Sequence, residues 1–132
     1  MKNIAITENH LYQKAYRGGK HAGTKTVVLY VLKDHKAKRL MLANPQKRYL
    51  NRVGISVSKK IGGAVERNRA KRLIREAYRA IESEGMLKKG FLVVIAARDG
   101  INGKKTADVE SDLRYAFKKT DMLLQSVDGE RI

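Results

Sequence analysis

Residues 64–84, AVERNRAKRLIREAYRAIESE, constrain this chain more than any other stretch, because they ask one helix to serve two opposed purposes. At about 100° per residue, Ala70, Leu73, Ile74, Ala77, Tyr78 and Ile81 gather into an arc of about 140°, a face that must be buried. Asn68, Arg72, Arg75 and Arg79 follow spacings of four, three and four and stack as a stripe on a different side. Arg67 and Lys71 flank that stripe, and Arg69 stands on the opposite shoulder. The helix runs from about Ala64 to Glu82 or Glu84, where Gly85 stops it. Any fold of this chain must cover the apolar arc and hold the guanidinium stripe out toward something anionic.

The rest of the chain supplies the cover. TVVLYVLK, residues 26–33, is β-branched and aromatic and predicts a strand. RLMLA, residues 39–43, predicts a second, ended by Pro45, and RVGISVS, residues 52–58, a third. FLVVIAA, residues 91–97, is a continuous apolar run of the kind that lies at the centre of a sheet covered on both faces. Two further helices are expected. One runs from an N-cap at Thr7 to about Arg17, with Tyr12 and Tyr16 four apart; the other runs from Thr106 to Lys119, with Val109, Leu113, Ala116 and Phe117 on one stripe. Beyond about residue 120 the tail is expected to fray. The order α-β-β-β-α-β-α gives an α+β or α/β two-layer sandwich, a small mixed sheet with helices packed on it, in a single domain spanning residues 1–132.

Charge then narrows the partner. Lys and Arg number 29 against 13 Asp and Glu, a formal net charge of +16 over 132 residues. A folded domain carries such an excess against its own repulsion, and a polyanion relieves it. The segment from Arg52 to Arg79 alone holds nine basic and two acidic residues, including Lys59 and Lys60 just before the helix. A merely solvated basic helix would show glutamates four residues from its arginines. Glu76 stands so to Arg72, but most of the basic groups have no such partner. Arginine's planar fork matches phosphate, so nucleic acid is the expected partner and a membrane is not. Gly62-Gly63 could bring backbone N–H groups near a phosphate at the helix start, or simply make a tight connection. The N-terminus shows no apolar secretory region, and the expected location is cytoplasmic.

Independent chemistry is not expected. Cysteine is absent, so thiolate metal sites and thiol nucleophiles are excluded. His10, His21 and His35 are separated, with no partner at metal-ligand spacing. Asp108, Glu110 and Asp112 form the one dense acidic group, but at a helix start such residues complement the dipole. GINGKKT lacks the first glycine and the Ser/Thr of a phosphate loop. A ribosomal or RNA-chaperone protein would share this composition. A helix-turn-helix DNA reader would not, because a strand and KKIGG stand where its supporting helix belongs.

RVGISVSKKIGGAVERNRAKRLIREAYR resembles the protein subunit of bacterial ribonuclease P, whose hallmark is an Arg-Asn-Arg sequence early in a helix. Arg52, Val53, Gly54, Ser56, Val57, Ser58, Lys59, Lys60, Gly62, Ala64, Val65, Arg67, Asn68, Arg69, Lys71, Arg72 and Arg75 match that pattern, and Tyr12, Tyr16, Gly19 and Tyr30 match outside it. The family commonly has Asn where this chain has Gly63. The resemblance implies a non-catalytic subunit that binds a catalytic RNA and the 5′ leader of precursor transfer RNA. In that reading the RNA carries phosphodiester hydrolysis with its own Mg2+, and the protein alone is inactive, holds no cofactor and needs no obligate protein partner. Lys59, Lys60, Arg67, Asn68, Arg69, Lys71, Arg72, Arg75 and Arg79 would contact the catalytic RNA. Tyr12, Tyr16 and Tyr30, with Arg52 and Ser56, would take the leader in a cleft between first helix and sheet. The family's β-α-β crossover is left-handed, against the general rule.

Overall fold

FLVVIAA becomes strand β5 (Phe91–Ala97), and Leu92, Val93, Val94 and Ile95 are each at most 1% exposed. That burial follows from its place in the middle of a five-stranded sheet. In the computed structural model, which describes residues 2–5, 9–34 and 49–124, β1 (Lys2–Ala5), β4 (Tyr49–Ser56), β5, β3 (Val27–Lys33) and β2 (Lys20–Gly23) lie side by side in that order. β1 runs parallel to β4 and β4 parallel to β5, while β5–β3 and β3–β2 are antiparallel, so the sheet is mixed. The register sets Gly54 against Val94, Val94 against Tyr30, and Tyr30 against His21, one row across four strands.

Helix α1 (Asn9–Gly18) lies on one face of the sheet, over β3 and β5. Helices α2 (Ala64–Glu82) and α3 (Thr106–Lys119) pack together on the other. The six apolar-arc residues of α2 are its buried residues, and Tyr78 meets Phe117 of α3 with ring centroids 6.1 Å apart. This larger core takes Leu29 and Val31 from β3 and Val93 and Ile95 from β5. The smaller one beneath α1 takes Leu11, Ala15, Leu92 and Val94. Alternating side chains thus feed two cores, which is why β5 is apolar at every position.

The expectations for the α2, β5 and α3 spans hold, while others change or lie outside the described residues. The strand expected over 39–43 lies outside the described residues, as does the Thr7 cap. β4 begins at Tyr49 and stops at Ser56, because Ser58 instead caps a 3-10 turn, Lys59–Ile61, accepting from the Lys60 N–H at 3.3 Å. Strands β1 and β2 were not expected; KHAG forms a strand by pairing with β3, not by its own composition. Fraying from about residue 120 does not hold for residues 120–124. Thr120 and Met122 are buried, the Lys88 N–H donates to the Met122 carbonyl at 2.8 Å, and Leu123 bridges Leu87. Residues 125–132 lie outside the described residues. No helix among the described residues is long and apolar enough to cross a membrane.

Candidate nucleic-acid interface

The outer side of α2 presents Asn68, Lys71, Arg72, Arg75 and Arg79 to solvent, mounted on a helix whose opposite side is anchored in the core. Among the described residues no carboxylate pairs with Lys71, Arg72, Arg75 or Arg79. Glu76, four residues after Arg72, instead accepts from the Thr106 hydroxyl at 2.9 Å. The stripe therefore keeps its charge for an outside partner. Lys59 and Lys60 are exposed in the 3-10 turn that leads from β4 toward this helix.

Arg67 and Arg69 differ from the stripe. Arg67 is half-buried, its Nε reaching the Gly63 carbonyl at 3.4 Å. Arg69 is half-buried too, and donates to the Lys104 carbonyl in the loop before α3. The start of α2 is shaped by glycine. Gly62 has φ of 144°, a conformation open to glycine, and its missing Cβ leaves room for the Glu66 side chain. Glu66 Oε1 accepts from the Gly63 N–H at 2.8 Å, so one of the helix's free N–H groups is satisfied from within. Gly63 itself offers no side chain to cap the helix.

On the opposite face of the sheet, α1 and β3 bring three tyrosines together. Tyr12 and Tyr16 have ring centroids 6.5 Å apart, and Tyr16 meets Tyr30 edge-on at 4.8 Å. All three are half-buried and pack against the small core beneath α1. The Tyr12 ring lies over Gly54, where an added Cβ would come within 2.6 Å of its hydroxyl oxygen. Burial, and then the neighbouring Tyr16, push the Tyr12 phenol above its ordinary pKa. A fourth ring, His21 of β2, lies 6.0 Å from Tyr30. No local pattern points to it, because KHAG, the edge strand that places it, has no β-type composition.

Arg52 and Ser56 lie on this same face, on either side of the tyrosine row. The Arg52 guanidinium is engaged by Asp34, with Nη2 donating at 2.8 Å to one carboxylate oxygen and Nε donating to the other. Ser56 stands half-buried beside Ala96, whose neighbour on the far side of β5 is Val28. Beyond it, at the strand ends, a cavity of about 500 Å³ is lined by Lys25, Lys60, Arg98, Ser58, Thr24 and Asp99. Lys25 and Arg98 are basic groups that only the fold brings to this place.

The acidic group on α3 diverges. Asp108 accepts from the Lys105 N–H at 2.9 Å, Glu110 accepts from Arg114 at 2.7 Å, and Asp112 accepts from the Thr26 hydroxyl at 2.7 Å. Each carboxylate serves a different partner. No group of three or more His, Cys, Asp or Glu among the described residues could hold a metal ion.

Comparison with known proteins agrees across the chain. A family model described as Ribonuclease P matches residues 1–121. The ribonuclease P protein component of Clostridium acetobutylicum is 40% identical over 124 residues, covering 94% of each chain. That of Clostridioides difficile is 36% identical over 111 residues, covering 84% of this chain and 86% of its own. The solved structure of the Staphylococcus aureus RNase P protein superposes with a TM-score of 0.72 at 26% identity, covering 92% of this chain and 99% of that one.

Proposed function

The chain belongs to the ribonuclease P protein family, and from that premise we propose that its two exposed surfaces divide the RNA between them. As the protein subunit it binds the catalytic RNA and precursor transfer RNA and assists removal of the 5′ leader, while the RNA subunit carries the cleavage. The guanidinium stripe of α2, with Lys59 and Lys60, takes phosphates of the catalytic RNA. The groove of Tyr12, Tyr16 and Tyr30 takes the leader, stacking its bases while nearby cations follow the backbone. A leader varies in sequence, and stacking tolerates any base, so the chemistry suits the substrate.

The observation that carries this reading is the separation of the surfaces. Flat rings and unpaired guanidinium groups occupy opposite faces of one sheet, so one protein can hold a catalyst and a single strand at once. Relief of repulsion between two polyanions then accounts for assistance without a protein-borne catalytic group.

The test is reconstitution with the RNA subunit and a leader-bearing precursor at low magnesium. The protein should restore cleavage there and show none alone. Tyr16→Ala, verified as folded by circular dichroism, should weaken precursor binding and leave mature transfer RNA binding as before. Equal weakening for both RNAs would remove the leader from this groove.

A further inference from the structure

The row of rings does not end at the tyrosines. β2 pairs with β3 so that His21 stands directly opposite Tyr30, and paired residues project on the same face of a sheet. The alternation along β2 supports that placement. Its neighbour Ala22 is buried in the core on the α2 side, so His21 must face the other way, toward the groove. Its ring is tilted by 31° from that of Tyr30, close enough to parallel for the two to form one broken platform. His21 is exposed, and among the described residues no hydrogen bond or ion pair occupies its imidazole. It is not a core residue in need of a packing role.

From the leader-groove reading above, we infer that His21 is the outermost ring of the leader platform and stacks on the nucleotide that reaches the edge strand β2. The geometry orders the four rings. Tyr12 rests on Gly54 in β4, Tyr16 bridges to Tyr30 in β3, and His21 follows in β2. From β4 to β2 is three interstrand steps of about 4.8 Å, about 14 Å in all. In this proposal the β4 end of the row is the one toward the cleavage site, since β4 continues into the turn of Lys59 and Lys60 before the helix assigned to the catalytic RNA. The β2 end lies away from it. A short leader ends over the tyrosines, and only a longer one reaches His21. Next along β2 on the same face stands Gly23, and Arg98 Nη1 lies 3.5 Å from where its Cβ would be, so a guanidinium group borders the space beyond the imidazole. An imidazole there offers a flat face to a base and a ring N–H to a phosphate or base edge.

The experiment measures affinity of the reconstituted holoenzyme for precursors whose leaders are lengthened one nucleotide at a time, with mature transfer RNA as the reference. Wild type should gain affinity stepwise as the leader crosses the row. His21→Ala should follow wild type for short leaders and lose the last step, roughly fivefold, the lower end for one stacked base. His21→Phe should keep that step, because a ring is restored, and His21→Gln should not. Should His21→Ala match wild type at every length while Tyr16→Ala loses an earlier step, His21 is outside the platform and the leader groove stands. Loss of no step by either variant would overturn the groove itself. Equal weakening toward mature transfer RNA, or rescue by Gln and not Phe, would also overturn stacking by His21.

Discussion

The Arg52 guanidinium forks onto the carboxylate of Asp34, joining β4 to the residue that follows β3. The Asp34 side chain is 3% exposed and that of Arg52 is 13% exposed. The Asp34 backbone also donates to the Gly90 carbonyl at 2.9 Å, which ties the start of β5 to the same corner. A carboxylate this buried depends on its cation, and removing one partner of such a pair typically destabilises by about 3–5 kcal/mol. Arg52→Gln should therefore lower the urea midpoint. Asp34→Asn should do the same, and the double variant should lose less than the sum. Lost precursor binding in Arg52→Gln would then reflect the fold as well as the leader. An Arg52→Gln protein that unfolds at the wild-type midpoint while binding precursor weakly would return this residue to the leader alone.

Gly54 makes the opposite point, since its contribution lies in what is missing. The Tyr12 hydroxyl and ring occupy the space above it, and a Cβ there would come within 2.6–2.8 Å of the hydroxyl oxygen and two ring carbons. The obstructing atoms are the far end of a side chain on the half-open α1 face, so the ring can tip away while the strand stays paired. Gly54→Ala should remain folded, with a stability loss of about 1–3 kcal/mol from overpacking. The displaced ring should break the platform, and precursor affinity should fall while mature transfer RNA binding is kept. Measuring both affinities beside a thermal melt separates ring displacement from collapse of the fold.

Which parts were legible in the sequence follows from the range of the interactions. The arc of Ala70, Leu73, Ile74, Ala77, Tyr78 and Ile81 was predictable because helical period converts spacing into burial directly, and all six are buried. FLVVIAA was legible for the same local reason. Glu76 misled, because its spacing from Arg72 suggests a helix-face pair while its true partner is Thr106, thirty positions away on another helix. Asp108, Glu110 and Asp112 look like a cluster in sequence and serve three separate partners in space. Arg52 with Asp34, and His21 with Tyr30, meet only through strand pairing that no local pattern encodes.

Acid should loosen the packing of α2 against α3. Arg114 of α3 bonds both Glu84, just past α2, and Glu110 on its own helix. The hydrogen bonds from Arg114 hold the Glu84 carboxyl below its ordinary pKa. A carboxyl depressed in the folded state contributes stability above the ordinary glutamate range, and that contribution is lost as pH falls through the folded value. Wild type should thus exceed Arg114→Gln in urea midpoint at neutral pH, and the gap should close below about pH 4. A gap that stays constant on acidification would assign Arg114 to packing alone.

The basic residues of α2 should divide into two kinds under salt titration. Arg72 and Arg75 point into solvent with no carboxylate partner among the described residues, so replacing either by Gln removes a phosphate contact and little else. Each change should leave the melting temperature within a degree or two and lower the magnitude of the log K against log salt slope for the catalytic RNA. About 0.7–1 per lost contact is expected. Arg69 lies in the hallmark Arg-Asn-Arg sequence, yet its guanidinium also fastens α2 to the Lys104 carbonyl. Arg69→Gln should weaken RNA binding and lower the melting temperature together, since it releases a carbonyl that the loop before α3 uses for anchorage. Unchanged slopes for Arg72→Gln and Arg75→Gln would make the stripe a solvated surface. A melting temperature unchanged in Arg69→Gln would leave that residue free to act on RNA alone.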